Sequence, residues 1–197
     1  MSTRMKRTMS VLVAALALGA CGGVDEKDAG HSTAGHPRGA GSVAATAGHN
    51  AQDARFVQMM IPHHQQAVAM AEQAAQRASS SKVRRLAARI ARDQDPQIHA
   101  MTGWLKEWGT PMPSPGGMHM GDGMMSDADM KRLGALSGER FDEAFLRMMI
   151  EHHHGAVTMA RTEQARGSDA EARAMAGSIV TAQSAEIRAM RKLLTAM

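Results

Sequence analysis

Phe56-Val57-Gln58-Met59-Met60-Ile61-Pro62-His63-His64-Gln65-Gln66-Ala67-Val68-Ala69-Met70-Ala71 is answered by Phe145-Leu146-Arg147-Met148-Met149-Ile150-Glu151-His152-His153-His154-Gly155-Ala156-Val157-Thr158-Met159-Ala160, at a constant offset of 89 residues. The offset continues through Ile90/Ile179, Gln94/Gln183, Ile98/Ile187, Met101/Met190 and Leu105/Leu194. Apolar residues recur every three or four positions, the period of an amphipathic helix. Each copy therefore reads as a helical hairpin, and two hairpins bury their stripes by packing together. The expected fold is all-α, a four-helix bundle built from two tandem hairpin repeats.

The first helix should start near Asp53 as N-cap and end near Arg77, with a kink at Pro62, whose ring clashes with the preceding turn. Ser79 to Ser81 form the turn before a second helix, which reaches Leu105 and includes Pro96. Residues 106 to 141 break the pattern; Gly109-Thr110-Pro111-Met112-Pro113-Ser114-Pro115-Gly116-Gly117 is loop chemistry. A third helix begins near Phe141 or Asp142, and a fourth runs from about Ser168 to the C-terminus. The repeats are thus 53–105 and 142–197, in a bundle spanning 51–197.

Residues 1–20 do not fit that pattern. Arg4, Lys6 and Arg7 precede a short apolar run, Val11 to Leu18, and the segment closes on Leu18-Gly19-Ala20-Cys21. This resembles a lipoprotein signal peptide, whose Cys becomes the lipidated first residue. Cys21 would then anchor the protein to the membrane, on the outer face of the cytoplasmic membrane or the periplasmic side of the cell envelope. Residues 21–50 lack apolar periodicity and read as a flexible tether.

Losing three cations with the leader reduces the net charge of +4 to +1. Charges of both signs alternate, and three Phe, two Trp and no Tyr leave little for base stacking, so a nucleic-acid partner is not expected. Methionine is the anomaly: of nineteen, three lie in the leader (Met1, Met5, Met9).

On a helix, residues four apart lie one above the other. Met59 with His63, Met60 with His64, Met148 with His152 and Met149 with His153 form four sulfur and nitrogen pairs, and Met70 and Met159 extend the stripe. Neutral thioethers with imidazoles suit Cu(I) best, and Cu(II) is reachable through the imidazoles. Zinc would call for Cys or carboxylate. A methionine stripe can equally be plain core, and one inward His is commonly hydrogen-bonded. Four imidazoles are harder to satisfy, because a buried unpartnered ring costs about 1–3 kcal/mol. Met118-His119-Met120, with Met112, Met124 and Met125 nearby, is a second candidate site, and His154 is a further candidate ligand.

The doubled Phe-x-x-Met-Met-Ile-x-His-His-x-x-Ala-Val-x-Met-Ala segment, each followed by Ile-x-x-x-Gln-x-x-x-Ile-x-x-Met, resembles the bacterial family called domain of unknown function 305. The resemblance covers residues 51 to 197. It implies a ferritin-like four-helix bundle in exported proteins associated with copper handling, with ligands at Met59, Met60, His63, His64, Met70, Met148, Met149, His152, His153 and Met159. His154 and Gly155 replace Gln65 and Gln66, a departure from internal symmetry.

The expected function is copper sequestration, buffering or tolerance without catalysis, with copper as the bound ion and a copper-handling protein as a further partner. Two alternatives stand beside it. Glu151-x-x-His154 supplies one step of a di-iron or di-manganese oxidase site, although Pro62 and Gln65 occupy its equivalent positions. The other is a metal-free, membrane-tethered interaction module.

Overall fold

The structure, a computed structural model, describes residues 48–113 and 123–197. Cys21, Met118, His119 and Met120 lie outside the described residues, as do the leader and most of the tether. The described chain forms helices α1 (Ala51–Arg77), α2 (Ser81–Glu107), α3 (Asp127–Gly134), α4 (Gly138–Arg166) and α5 (Ala170–Leu194). Three-residue turns join α1 to α2 and α4 to α5 as hairpins, and α1 packs on α4 as the central pair. The helices α2 and α5 flank that pair and touch each other little. None of the described helices is long and apolar enough to cross a membrane.

The ends of the helices differ from the sequence expectation for identifiable reasons. Asn50, not Asp53, caps α1: its side chain accepts from the backbone N–H groups of Gln52 and Asp53, and Asp53 answers by accepting from the Asn50 N–H. That reciprocal box satisfies donors that a helix start otherwise leaves open. The helix α1 continues through Pro62 and α2 through Pro96, because the surrounding packing outweighs one lost backbone bond. The long connector holds a short helix, α3, that loop chemistry did not reveal. Ser126 and Asp129 form its capping box, and Leu133 is completely buried in the core.

Asp53 and Asp142, another pair 89 residues apart, explain how the hairpins lock together. Asp142 Oδ2 accepts from Ser79 Oγ at 2.6 Å and from the Ser80 N–H at 2.8 Å, at the turn between α1 and α2. Asp53 accepts from the N–H groups of Ser168 and Asp169, both at 3.0 Å, at the turn between α4 and α5. Each hairpin thereby caps the other's turn. Hydrogen bonds to a charged group contribute about 1.5–3 kcal/mol, so these two carboxylates tie the repeats at both ends.

Asp53 has a second acidic neighbour in Glu163, also fully buried. Burial pushes the Asp53 carboxyl up, but its bond with Glu163 and those from the Asn50, Ser168 and Asp169 backbones hold it at about 2. Burial and the bond to Asp53 push Glu163 up to about 8, against a bond from Gln52. Glu163 is therefore the protonated member and donates to Asp53 at neutral pH.

The interior has two apolar clusters. One combines the C-terminal half of α1 with the N-terminal half of α4, around Met70, Phe141, Phe145 and Met149. The other reverses the halves, around Phe56, Met60, Ala156 and Met159. Exchange of positions 89 residues apart turns most of one cluster into the other. Between them along α1 and α4 lies a belt of buried histidines.

Candidate metal centre

His63 and His64 come from α1, and His152 and His153 from α4; all four are at most 1% exposed. The His63 and His152 rings meet across the helix pair with centroids 3.7 Å apart and planes tilted by 38°. The other two turn toward the outer helices. His64 Nε2 lies 2.7 Å from Gln97 Oε1 on α2, and His153 Nε2 lies 2.6 Å from Glu186 Oε2 on α5. Gln97 and Glu186 are themselves 89 residues apart, so the belt repeats with the helices.

These contacts set the chemistry of the rings. An acceptor opposite Nε2 places a proton on that nitrogen and fixes which edge of the ring faces the belt. The Nδ1 atoms of His64 and His153 are buried without a hydrogen-bond partner, and so are both ring nitrogens of His152. Burial, outweighing the bond to Gln97, lowers His64 to about 4, with the neighbouring His153 acting in the same direction. Burial, then the neighbouring His63, His153 and His64 rings, holds His152 well below the ordinary imidazole range. Both rings are neutral at pH 7, with lone pairs available.

The sulfurs stand on both sides of the belt. Met60 and Met159 are buried in one cluster, with Met59 packed against it. Met70 and Met149 are buried in the other, with Met148 packed against it. The repeat thus produces two matching sets of three thioethers, Met59, Met60 and Met159 against Met70, Met148 and Met149. Among the described residues, no group of three or more His, Cys, Asp or Glu side chains is arranged to hold a metal ion.

The matching family model is "Domain of unknown function (DUF305)", over residues 53–194. The chain belongs to the DUF305 family. A Streptomyces coelicolor DUF305 protein, regarded as secreted, is 40% identical with a TM-score of 0.69, over 73% of this chain and 92% of that one. A DUF305 fragment from Deinococcus radiodurans is 35% identical with a TM-score of 0.69, over 76% of this chain and 99% of that one. CopM in its Cu(II)-bound form is 36% identical with a TM-score of 0.65, over 73% of this chain and 95% of that one. CopM has also been solved in Cu(I)-bound, silver-bound and apo forms. No curated protein matches the chain.

The remaining candidates of this DUF305 protein among the described residues lie apart from the belt. His154 is exposed, and Arg191 donates to its Nε2 at 3.1 Å. Glu151 is exposed as well, so the Glu-x-x-His step points away from the interior. Met112 is 48% exposed. Met125 has a packing role: it lies against the first apolar cluster, and its backbone exchanges two hydrogen bonds with Gln66. Gly155 has its reason in the same connector, for Gly123 passes so close that a Cβ on it would stand 2.6 Å from the Glu151 carbonyl and 3.2 Å from Gly155 Cα. Sequence reasoning missed Gln97, Asp53 as a cross-link, Asp142 and Glu163. The 89-residue offset marks the first three; Glu163 faces Ala74 at its equivalent position and leaves no such trace.

Proposed function

We propose that this DUF305 protein is an extracytoplasmic, lipid-anchored copper-binding protein that sequesters or buffers copper without turnover. The observation that carries the proposal is the belt of four buried histidines, in which the Nδ1 atoms of His64, His152 and His153 have no hydrogen-bond partner, flanked along α1 and α4 by two sets of thioethers. Gln97 and Glu186 fix ring orientation from behind, as hydrogen-bonding partners of metal-ligating histidines do. The donor set is uncharged and soft, which favours Cu(I), with the nitrogens able to serve Cu(II). CopM, solved with both copper states, supports the assignment of the metal, and the secreted assignment of the Streptomyces coelicolor relative supports a location outside the cytoplasm. The Leu18-Gly19-Ala20-Cys21 segment supports the lipid anchor.

Anaerobic titration of the mature protein with Cu(I), and separately Cu(II), tests this reading. Free metal at one hundred times its dissociation constant should stabilise the fold by about 2.7 kcal/mol. Replacing His63, His64, His152 and His153 together by Ala should abolish tight binding while circular dichroism still reports helix. Unchanged stoichiometry and affinity in that variant would transfer the assignment to the Met118-His119-Met120 segment. The companion variant M118L/H119A/M120L then decides between the two.

A further inference from the structure

The repeat places two equivalent grooves between α1 and α4, one on each side of the histidine belt, and among the described residues only one is filled. In the first, α3 is the occupant. Leu133 is fully buried in the cluster that holds Met70 and Phe145, with Met148 packed against it. Arg77 donates to the Leu136 carbonyl just beyond the end of α3, at 3.5 Å. Gly134 rests against Gln73, where an added Cβ would lie 3.4 Å from Oε1.

Advancing or retreating 89 positions from Phe145, Met148, Met70, Gln73 and Arg77 gives Phe56, Met59, Met159, Thr162 and Arg166. Those five line an open groove of about 290 Å³, together with Gln52, Arg55 and Thr158. The correspondence is residue for residue. Exposure records the missing cover: Met70 is 0% exposed beneath α3, whereas Met159 is 8% exposed.

The geometry points to this groove as a docking site for a short amphipathic helix of a partner protein, built like α3. Three features define that helix. It carries a leucine-sized side chain for the space flanked by Met59 and Met159, as Leu133 fills the first seat. It ends on a free carbonyl within reach of Arg166, as Leu136 ends near Arg77. It also carries an acidic residue, because Arg55 stands where the filled seat has Ala144, and an unmatched cation beside an apolar contact disfavours a neutral partner. At the position 89 residues before Leu133 the chain's own sequence has Ala44, too small to serve as that anchor. Helix-in-groove recognition needs such an anchor. Docking follows from the groove alone and holds whether or not the protein binds copper; with copper, it would cover two thioethers of the proposed set.

The test uses the metal-free mature protein, a synthetic peptide of residues 124–138 as the probe, and methionine-methyl NMR. The methyl signals of Met59 and Met159 should shift saturably while those of Met70 and Met148 stay fixed. A peptide carrying L133D should lose the effect. T162W, which fills the groove, should weaken binding about tenfold or more, R166A about threefold or more, and R161A, outside the groove, should leave it unchanged. No shift at millimolar peptide, or equal shifts with the L133D peptide, overturns the proposal. A dimer that dissociates in T162W gives the groove to a second copy, and a spin label at A44C that broadens Met59 and Met159 within its own molecule gives it to the N-terminal segment. Either result overturns the assignment to a partner protein.

Discussion

The two ends of the bundle began as the same structure and are finished differently. Where α1 ends and α4 begins, α3 covers the groove and one carboxylate, Asp142, holds the neighbouring turn. Where α1 begins and α4 ends, the groove is left open by the described residues, and two carboxyl groups, Asp53 and Glu163, share the task. The residues through which the repeats hold each other, the Asp pair, Phe56 with Phe145, and the histidine belt, are the same at both ends. The differences lie where one repeat has a neighbour that the other lacks. A connector between repeats exists only once, so α3 can cover only one groove, and Gly155 with Gly123 makes room for it. At the other end, Gly167 replaces the equivalent Ala78, since a Cβ there would fall 2.2 Å from Glu163 Oε1 and 2.7 Å from Asp53 Oδ1.

The largest contrast between the ends should come from deleting the carboxylates. D53A strips Ser168 and Asp169 of their N–H acceptor and leaves Glu163 buried without its partner, for an expected loss of about 3–5 kcal/mol at pH 6. D142A removes one backbone partner and one hydroxyl partner, for about 1–3 kcal/mol. Urea unfolding of both variants measures the difference. Equal losses would mean that Glu163 adds nothing to the holding of its turn.

The covered groove supplies the next contrast. L133A empties a fully buried site and should cost about 2–4 kcal/mol. T162A, in the open groove, should change stability by about 0.5 kcal/mol or less. If L133A also proved neutral, α3 would be an ornament on the first groove, and the comparison with the second would lose its meaning.

Much of this was legible beforehand because a duplicated pattern is a strong periodic signal. The hairpins, the inward histidines and the equivalence of the halves all follow from one offset combined with a helical period. Helix ends were less legible. Asp53 has the chemistry of an N-cap and stands at the start of the apolar stripe, yet Asn50, three residues earlier, caps the helix and frees Asp53 to reach the opposite hairpin. The helix α3 was hidden by its surroundings: Gly, Pro and Met dominate the connector, although Ser126-x-x-Asp129 followed by Leu133 is a short helix signature in itself. The partners of His64 and His153 were only half visible. Glu186 falls on an inward face by periodicity, whereas Gln97 emerges as its equivalent once the other is known. Glu163 has no equivalent, and nothing short of the folded geometry sets it beside Asp53.

That unmatched residue makes the smallest and sharpest test of the difference between the ends. Glu163 is raised from the ordinary carboxyl value of 4.5 to about 8 in the folded protein. Between those values the native state holds a proton that the unfolded chain releases, so this contribution to stability is complete below pH 4.5 and is lost as pH rises through 8. Asp53 has the opposite sign: held at about 2, it contributes above its unfolded value of 3.8 and loses that contribution only as pH falls through 2. The two windows do not overlap. E163Q cannot ionise, yet its amide can still donate to Asp53, so the variant should match the wild type near pH 4.5 and exceed it at pH 9, by about 1–2 kcal/mol. Thermal melts across pH 4 to 9 measure this directly. The equivalent end, with Ala74 in place of the acid, has no group to produce such a slope, so parallel melting profiles for E163Q and the wild type would show that the protonated pair does not distinguish the two ends.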